Sequence, residues 1–571
     1  MPKYILGIHQ SGPISAAALL RNGELVAASP EERFTRRKQD SDFPLKAIDY
    51  CLRYAGITIE ELAGVAIGWN PGINAGLKYR RAYSDRARYP GDWLASVPNA
   101  ILPMVCDVSA SVRQVFSGES GSKLNISYFN HHDCHAYLSY KVSGYERCAI
   151  LVVDGYGEQA ATTLYSAEND QLTLLKTFEF PNSLGCFYSA ITHYLGYRPF
   201  SDEWRVMGMS AYGDSNSINE LEQLIELTDD YGYELDLRYF DFYNFDRPHF
   251  FSQRLVELLG EPRASGGPIL ARHYDIAAAA QRIFERTMTH LLIGLRKKTG
   301  MENLCISGGS AMNCLFNGKI TDLTGFHNVC AGFAPDDSGN SIGAALLASR
   351  AIGVSSQLQS QLPYLGPEYS DIEVENKLKR FKLNYRRVDN FHAEVARLLA
   401  DGNIVGWFHG RAEFGQRALG NRSILASPLV PEMKERINQA IKFRESYRPF
   451  APVMPLDDLC KYMDLNAPLE IAYMEKAIRW RAGMAERLPA VVHNDGTGRV
   501  QTVTDRTNDN LLQLIKEFKS ITGESVLINT SFNVNDEPIV SSPEDAIRTF
   551  VSSGLDVLSL GSFIIKKSYA T

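Results

Sequence analysis

The chain lacks several features that would each have pointed to a particular class of protein. Its nine cysteines form no pair at C-x-x-C spacing and are odd in number, which disfavours a zinc knuckle or a disulfide framework and fits reduced thiols in a cytoplasmic setting. No run of about 18 apolar residues is present to span a bilayer, and the opening MPKYILGIHQSGP has no apolar core of a signal peptide, so no membrane partner is expected. There is no tandem repeat and no low-complexity tract. There is also no excess of positive charge. The formal net charge is -7, so no overall basic field draws in nucleic acid, and a phosphorylated small molecule would need a local basic pocket.

What is present is ordinary globular composition, 45% hydrophobic and 22% charged, in 571 residues. That length exceeds what one hydrophobic core usually organises and predicts two domains. Residues 4–29 read as strands YILGI and SAAALL, an Asn22-Gly23 turn and a third strand, ELVAAS. CAILVVDGYGE, ATTLYSA and LTLLKTFEF read as a second, enlarged copy of that unit. DIAAAAQRIFERTMTHLLIGLRKKTG carries apolar residues at three and four spacing, with basic residues before Gly300, and predicts a helix with a marked stop. At 353–370 the text turns to serine, glutamine, glycine and proline, which places a boundary between domains at 1–355 and 365–571. Beyond it, AEVARLLA and NIVGWF restart an α/β pattern.

Three groups of residues carry candidate chemistry. In HHDCHA, His131 and His135 stand four apart and share one face if the segment is helical. Asp154 ends the strand AILVV and Asp337 lies in the acidic turn FAPDDSG; two histidines with two carboxylates suit one divalent transition metal, iron(II), zinc or manganese. NLCISGGSAMNC predicts a strand and a Gly308-Gly309 turn whose free N–H groups can face a nucleotide phosphate. GRAEFGQRALGNRSIL and IKFRESYRPFAP gather Arg411, Arg417, Arg422, Lys442, Arg444 and Arg448 among small neighbours, an expected anion pocket. Arg499, Gln501, Thr502, Asn529, Thr530, Ser531 and Asn533 add polar groups for a phosphate or an amide.

These motifs, together with EERFTRRK at 31–38, DGYGE, SLGCFYSAITHYLGYRPFSDEWRVMGMSAYG and LINTSFN, resemble the NodU/CmcH carbamoyltransferases along nearly the whole chain. The resemblance implies an N-terminal actin-like ATPase (ASKHA) domain, similar to the metal domain of the tRNA threonylcarbamoyladenosine enzymes, and a C-terminal YrdC-like α/β domain. It implies an ATP-dependent O-carbamoyltransferase that makes carbamoyl adenylate from carbamoyl phosphate and ATP with Mg²⁺. The carbamoyl group then passes to a hydroxyl of a small molecule such as an antibiotic precursor. His131, His135, Asp154 and Asp337 are implied as metal ligands, with iron foremost. Asp154, Gly155, Gly308, Gly309 and Asn313 are implied on the nucleotide, and Arg417, Lys442, Arg448, Arg499, Asn529 and Ser531 on carbamoyl phosphate or the adenylate. The chain departs from the family at Pro13-Ile14-Ser15-Ala16-Ala17, where His-Asp-x-x-A-A is usual, and at Gln39 and Arg205, where histidine and lysine are usual. His9, four residues before Pro13, is the residue left to take the acceptor's proton.

Two other readings are weighed against this one. Transfer to tRNA is disfavoured by the acidic balance and by the lack of a basic arm. An actin-like nucleotide-binding interaction protein would not need the arginines. An oligomer is compatible with the sequence.

Overall fold

A computed structural model describes residues 2–10, 12–70, 124–244, 247–356, 358, 362–445, 447–448 and 450–567. The expected boundary interval contains 357 and 359–361, which lie outside the described residues, as do Ser446 and Pro449 of the KFRESYRPFAP motif. The chain divides into two compact units. The first comprises 1–31, 41–313 and 319–361; the second comprises 32–40, 314–318 and 362–571. Two short segments from before the expected boundary, 32–40 and 314–318, thus belong to the second unit, which no linear cut of the sequence would assign to it.

In the first unit, β1 (Tyr4–His9), β2 (Ala16–Arg21) and β3 (Glu24–Pro30) form an antiparallel meander, and β4 (Leu62–Ile67) and β5 (Ile126–Tyr128) extend it in parallel, in the order β3-β2-β1-β4-β5. The turn between β2 and β3 uses Asn22 and Gly23 at φ 52° and 86°, the left-handed pair that a two-residue hairpin needs. A second sheet repeats this plan. Here β6 (Arg147–Val153), β7 (Ala160–Glu168) and β8 (Gln171–Glu179) are antiparallel, a separate hairpin follows as β9 (Ile225–Thr228) and β10 (Gly232–Leu235), and β11 (Asn303–Ser307) and β12 (Asn328–Cys330) run parallel to β6. The order β12-β11-β6-β7-β8 mirrors that of the first sheet. This doubled α/β plan is the one expected of an actin-like domain.

Among the described residues, the helices of ten or more residues in the first unit are α1 (Leu45–Ala55), α2 (His131–Ser143), α3 (Leu184–Tyr194), α4 (Ala271–Thr299) and α5 (Asn340–Ala351). The sequence placed the start of α4 at Asp275, and it begins four residues earlier. Helix α1 is capped by the buried Glu31, whose carboxylate accepts from Lys46 N (3.2 Å) and Ala47 N (2.8 Å). Helix α5 fits close to β1, since a Cβ on Gly7 would lie 1.8 Å from Ser341 O. Only glycine permits that approach.

The second unit is built on an eight-stranded mixed sheet. Its strands are β13 (Arg386–Arg387), β14 (Val405–Phe408), β15 (Arg422–Ala426), β16 (Ala451–Pro455), β19 (Gln501–Val503), β20 (Leu527–Ser531), β21 (Val557–Leu560) and β22 (Phe563–Lys566), in the order β13-β22-β21-β14-β15-β20-β16-β19; β17 (Ala477–Arg479) and β18 (Thr497–Arg499) form a side ribbon. Apolar clusters cover both faces. Val405, Trp407, Leu425 and Leu527 pack with helices α6 (Phe391–Ala400) and α7 (Asp505–Thr522), while Ile404, Phe408, Ile424 and Ile528 face the other core. The 32–40 segment is stitched in by Arg33, which donates to Gly415 O (2.8 Å), and by Arg36, which donates to Ile539 O and Pro538 O (both 2.7 Å).

Candidate active sites

In the first unit the carboxyl ends of the parallel strands of both sheets meet, which is where ligands bind in α/β sheets. His9 ends β1, His131 follows β5, Asp154 follows β6, Ser307 ends β11 and Asp337 lies beyond β12. Asn130 caps α2 by accepting from Asp133 N (3.0 Å), so the helix predicted from the histidine spacing forms with both imidazoles on one face. His131 Nε2 lies 3.1 Å from Asp154 Oδ2 and 3.4 Å from Asp337 Oδ1; His135 Nε2 lies 3.3 Å and 3.5 Å from the same atoms and 3.2 Å from His131 Nε2. One ligand atom from each of the four residues falls within 4.8 Å of the other three.

Burial opposes charge on both imidazoles, yet hydrogen bonds to Asp154 and Asp337 raise them above the ordinary histidine range, His131 well above it. Burial likewise pushes Asp154 up, and the two histidines outweigh it and hold its carboxyl well below the usual range. For Asp337, burial and the neighbouring Asp154 push up, and the histidines again prevail. Four buried groups thus balance each other's charge around one point. Two imidazole nitrogens and two carboxylate oxygens fit a divalent cation, and the cluster can hold one.

His135 Nδ1 meets Ser307 Oγ at 3.2 Å, which leaves Nε2 directed at the centre. His9 is fully buried, with Nε2 3.9 Å from Asp337 Oδ2 and its ring 5.4 Å from that of His131. His9 thus stands at the edge of the four-residue cluster, next to Asp337.

The glycine turns also differ from expectation. Their N–H groups are not free for phosphate: Gly155 N (2.8 Å) and Gly309 N (3.3 Å) both donate to Asp154 Oδ1, and Gly308 N donates to Pro335 O (2.8 Å). The turns aim Asp154, with Oδ1 held by glycine amides and Oδ2 facing the histidines. Gly308 (φ 88°) is needed for this, since a Cβ there would fall 2.3 Å from Val153 O. Asn313 exchanges paired hydrogen bonds with Gln281 on α4 (2.9 and 3.1 Å).

In the second unit, Arg417 and Arg499 both act on the Cys314 thiol, which burial pushes up and the two guanidinium charges pull down. Arg499 Nε is buried without a hydrogen-bond partner, and among the described residues Arg499 makes no ion pair. An unmatched buried cation of this kind is costly unless an anion arrives. Asn529 donates to Gln501 Oε1 (2.7 Å) and Ala418 O (3.3 Å), beside the Arg417 loop.

Sequence comparison bears on both units. Residues 4–346 match the family model described as Carbamoyltransferase N-terminus, and residues 396–567 match Carbamoyltransferase C-terminus. The chain belongs to the carbamoyltransferase family. It is 36% identical to nodulation protein NolNO of Sinorhizobium fredii over 97% of this chain and 79% of that protein. It is 34% identical to an uncharacterized protein of Synechocystis sp. over 99% and 97%, and 33% identical to a 3'-hydroxymethylcephem-O-carbamoyltransferase of Streptomyces clavuligerus over 48% and 50%. The protein is therefore an ATP-dependent carbamoyltransferase. Among the described residues no helix is long and apolar enough to cross a membrane.

Within this carbamoyltransferase the expected anion pocket narrows. Arg422 is fully buried over the Phe408 ring at 3.6 Å and donates to His409 O (3.0 Å), Asn421 O (2.9 Å) and Pro367 O (2.9 Å). Arg411 donates to Leu365 O (2.6 Å) and Gly366 O (3.2 Å). Both clamp main chain and so leave the pocket, a correction to the sequence reading. Arg444 donates to Asn438 Oδ1 (2.6 Å). The Lys442 ammonium is buried among Ser531 O (2.5 Å), Asn533 Oδ1 (2.7 Å), Asn533 O (2.9 Å) and Ser531 Oγ (3.2 Å), which pins the end of β20; burial and then Arg444 and Arg448 press it well below the usual lysine range. Arg448 Nη1 lies 3.7 Å from Glu445.

Two carboxylates that sequence reasoning passed over organise these loops. Buried Glu158, the last residue of DGYGE, accepts from His131 N (3.0 Å) and Asn70 N (2.6 Å), and so ties the histidine helix to the Asp154 loop. Buried Glu413 accepts from Leu419 N (2.8 Å), Asn421 N (2.7 Å) and Arg422 N (3.1 Å), shaping the loop that carries Arg417. Both stand inside the motifs quoted above, but nothing in the letters tells an anchoring glutamate from a solvated one.

Proposed function

We propose that this enzyme activates carbamoyl phosphate as carbamoyl adenylate in its second unit, a YrdC-like domain. It then transfers the carbamoyl group to a hydroxyl of a small molecule at the first unit. The observation that carries the reading is Arg499, whose buried Nε lacks a hydrogen-bond partner and whose charge acts with that of Arg417 on Cys314, in a chain matched at both ends by carbamoyltransferase models. Arg417, Arg499 and Arg448 hold the phosphate or carboxylate oxygens of the donor; Lys442 acts through Ser531 and Asn533 by fixing the loop that follows β20. Asn529 serves the carbamoyl end. The relative that acts on a 3'-hydroxymethylcephem supports a natural-product hydroxyl as acceptor.

In the first unit, His131, His135, Asp154 and Asp337 are the proposed ligands of one divalent metal, with iron(II) ahead of zinc and manganese. Such an ion, when bound, supplies positive charge for the oxygens of phosphate or acceptor. ATP with Mg²⁺ is the second co-substrate. The side chains of Asp154 and Asn313 and the Gly155, Gly308 and Gly309 turns are the proposed frame of the nucleotide pocket there, acting by shape. Water first cleaves carbamoyl phosphate to carbamate and phosphate, and the carbamate oxygen displaces pyrophosphate from ATP to give the adenylate; transfer then breaks the bond between the carbamoyl carbon and the adenylate oxygen, forms the bond to the acceptor oxygen and releases AMP and the acceptor's proton, and keeping the adenylate from water protects it.

The test is pyrophosphate and phosphate release by the full chain with ATP, Mg²⁺ and carbamoyl phosphate. Release that needs both substrates and is lost in Arg417→Ala is the expected result. Folded enzyme that releases neither product, with or without an acceptor mixture, overturns the proposal.

A further inference from the structure

Helix α4 carries Arg282 and Arg286 four residues apart, on one face, where both meet a 3₁₀ turn at Asn219–Leu224. Arg282 Nη1 lies 2.6 Å from Glu222 Oε1, and Arg286 Nη1 meets Oε2 of the same carboxylate. Arg286 also donates through Nη2 to Ile225 O (3.0 Å), at the start of β9. The two oxygens of one carboxylate thus bridge the two guanidinium groups, which holds both cations within reach of one small ligand. Glu285, the acidic residue between them in sequence, is taken up elsewhere: Lys319 donates to both of its oxygens (2.8 Å each) and Gln281 Nε2 to one of them (2.9 Å). Among the described residues the two cations therefore share one anion.

Nε and Nη2 of Arg282 form the side-on edge of its guanidinium, two parallel N–H groups at the spacing of two oxygens of a carboxylate or a phosphate. Both nitrogens are buried, and neither has a hydrogen-bond partner. Arg282 is the one arginine among the described residues that keeps two nitrogens in that condition, and Arg286 keeps its Nε so. Three buried donors on a pair with one positive charge left over are costly as they stand, and an oxyanion meets them. Burial also presses the Arg286 guanidinium below its usual range. The two side chains are 31% and 36% exposed, so an ion reaches the pair from solvent.

We infer that Arg282 and Arg286 form a binding site for a small oxyanion on the first unit, in which the Arg282 edge takes two oxygens of a phosphate or a carboxylate and Arg286 Nε adds a third donor. Neither arginine belongs to the four-residue cluster or to the donor arginines of the second unit. Glu222 is the competitor built into the site, since it occupies Nη1 of each arginine and repels an incoming anion. The neighbouring Gln281 exchanges hydrogen bonds with Asn313 (2.9 and 3.1 Å) and accepts from the Tyr188 hydroxyl (2.9 Å). An anion that fixes Arg282 therefore steadies the turn of α4 from which Asn313 is held.

The experiment is calorimetric titration of the full chain with inorganic phosphate and, separately, with acetate, in an Arg499→Leu background that weakens phosphate binding in the second unit. Glu222→Gln removes the competing charge at constant size and is expected to tighten binding by about fivefold or more. Arg282→Met is expected to weaken it by about tenfold or more, and Arg282→Lys, which keeps the charge and loses the edge, to fall with it. Thermal unfolding checks that each variant is folded, and a tighter variant cannot arise from loss of folding. Phosphate bound in preference to acetate assigns the site to a tetrahedral anion, and the reverse order to a carboxylate. No binding of either anion overturns the inference, as do affinities that stay the same in Glu222→Gln and Arg282→Met. Arg282→Lys at undiminished affinity overturns the part given to the edge.

Discussion

Charge in the four-residue cluster of the first unit is closed on itself, whereas charge in the pocket of the second is left open. His131, His135, Asp154 and Asp337 crowd within 4.8 Å and balance one another's charge, so the protein tolerates them buried. Arg499 has a buried Nε with nothing to meet, and the neighbouring Arg417 adds charge of the same sign. A balanced cluster accepts a cation by exchanging protons for it. An unbalanced one is prepared for an anion. On the proposed function, the contrast lets one chain serve a metal and an acyl phosphate without either site competing for the other's ligand.

Removing one member of the closed cluster should have the largest effect. Asp154→Ala takes away a carboxylate that touches both histidines and both glycine turns, and cobalt(II) affinity of the full chain should fall by about 100-fold or more, measured by calorimetry with the visible cobalt spectrum. Retained affinity and spectrum would break the comparison at its first term. In the open pocket, Arg499→Leu should raise the KM for carbamoyl phosphate by about 50-fold, as loss of a charge-assisted contact predicts, with cobalt binding unchanged.

Arg422 sharpens the contrast because its cation is met by three carbonyls. Arg422→Met strands those carbonyls and should lower unfolding stability by about 2 kcal/mol in denaturant titration, while a raised KM with stability intact would return Arg422 to the pocket.

The smallest effect concerns protons. Burial first, and then Arg499 and Lys434, press His493 down to about 4, against the pull of Asp495. Below its ordinary value the unfolded chain binds a proton that the folded chain refuses. Stability is then full above about pH 6.5 and is lost as pH falls toward 4, by on the order of 1 kcal/mol between pH 7 and 5.5. His493→Asn should flatten that slope; an unchanged slope would show that His493 is not held below its ordinary value in the folded chain.

The histidine spacing of HHDCHA, the strand that delivers Asp154 and the hairpin at Asn22-Gly23 were legible because each depends on local periodicity or on one residue's backbone freedom. The six cations of the C-terminal motifs were legible only as a group. Arg422 and Arg499 each keep a buried Nε without a hydrogen-bond partner, but Arg422 also donates to three main-chain carbonyls, one of them 55 residues away along the chain. His9 illustrates the same limit, since its place beside Asp337 depends on strands separated by more than 300 residues.

By itself, the sequence determined the α/β elements, the family and the residue types at each site, because alternation, helix spacing and turn chemistry act between near neighbours. Only the tertiary structure decided that residues 32–40 and 314–318 join the second unit, that the glycine amides aim Asp154 and not a phosphate, and that Asn529 is left with an open acceptor. Those outcomes hang on which buried groups find partners across the fold, and partnership at a distance is set by packing, not by spacing along the chain.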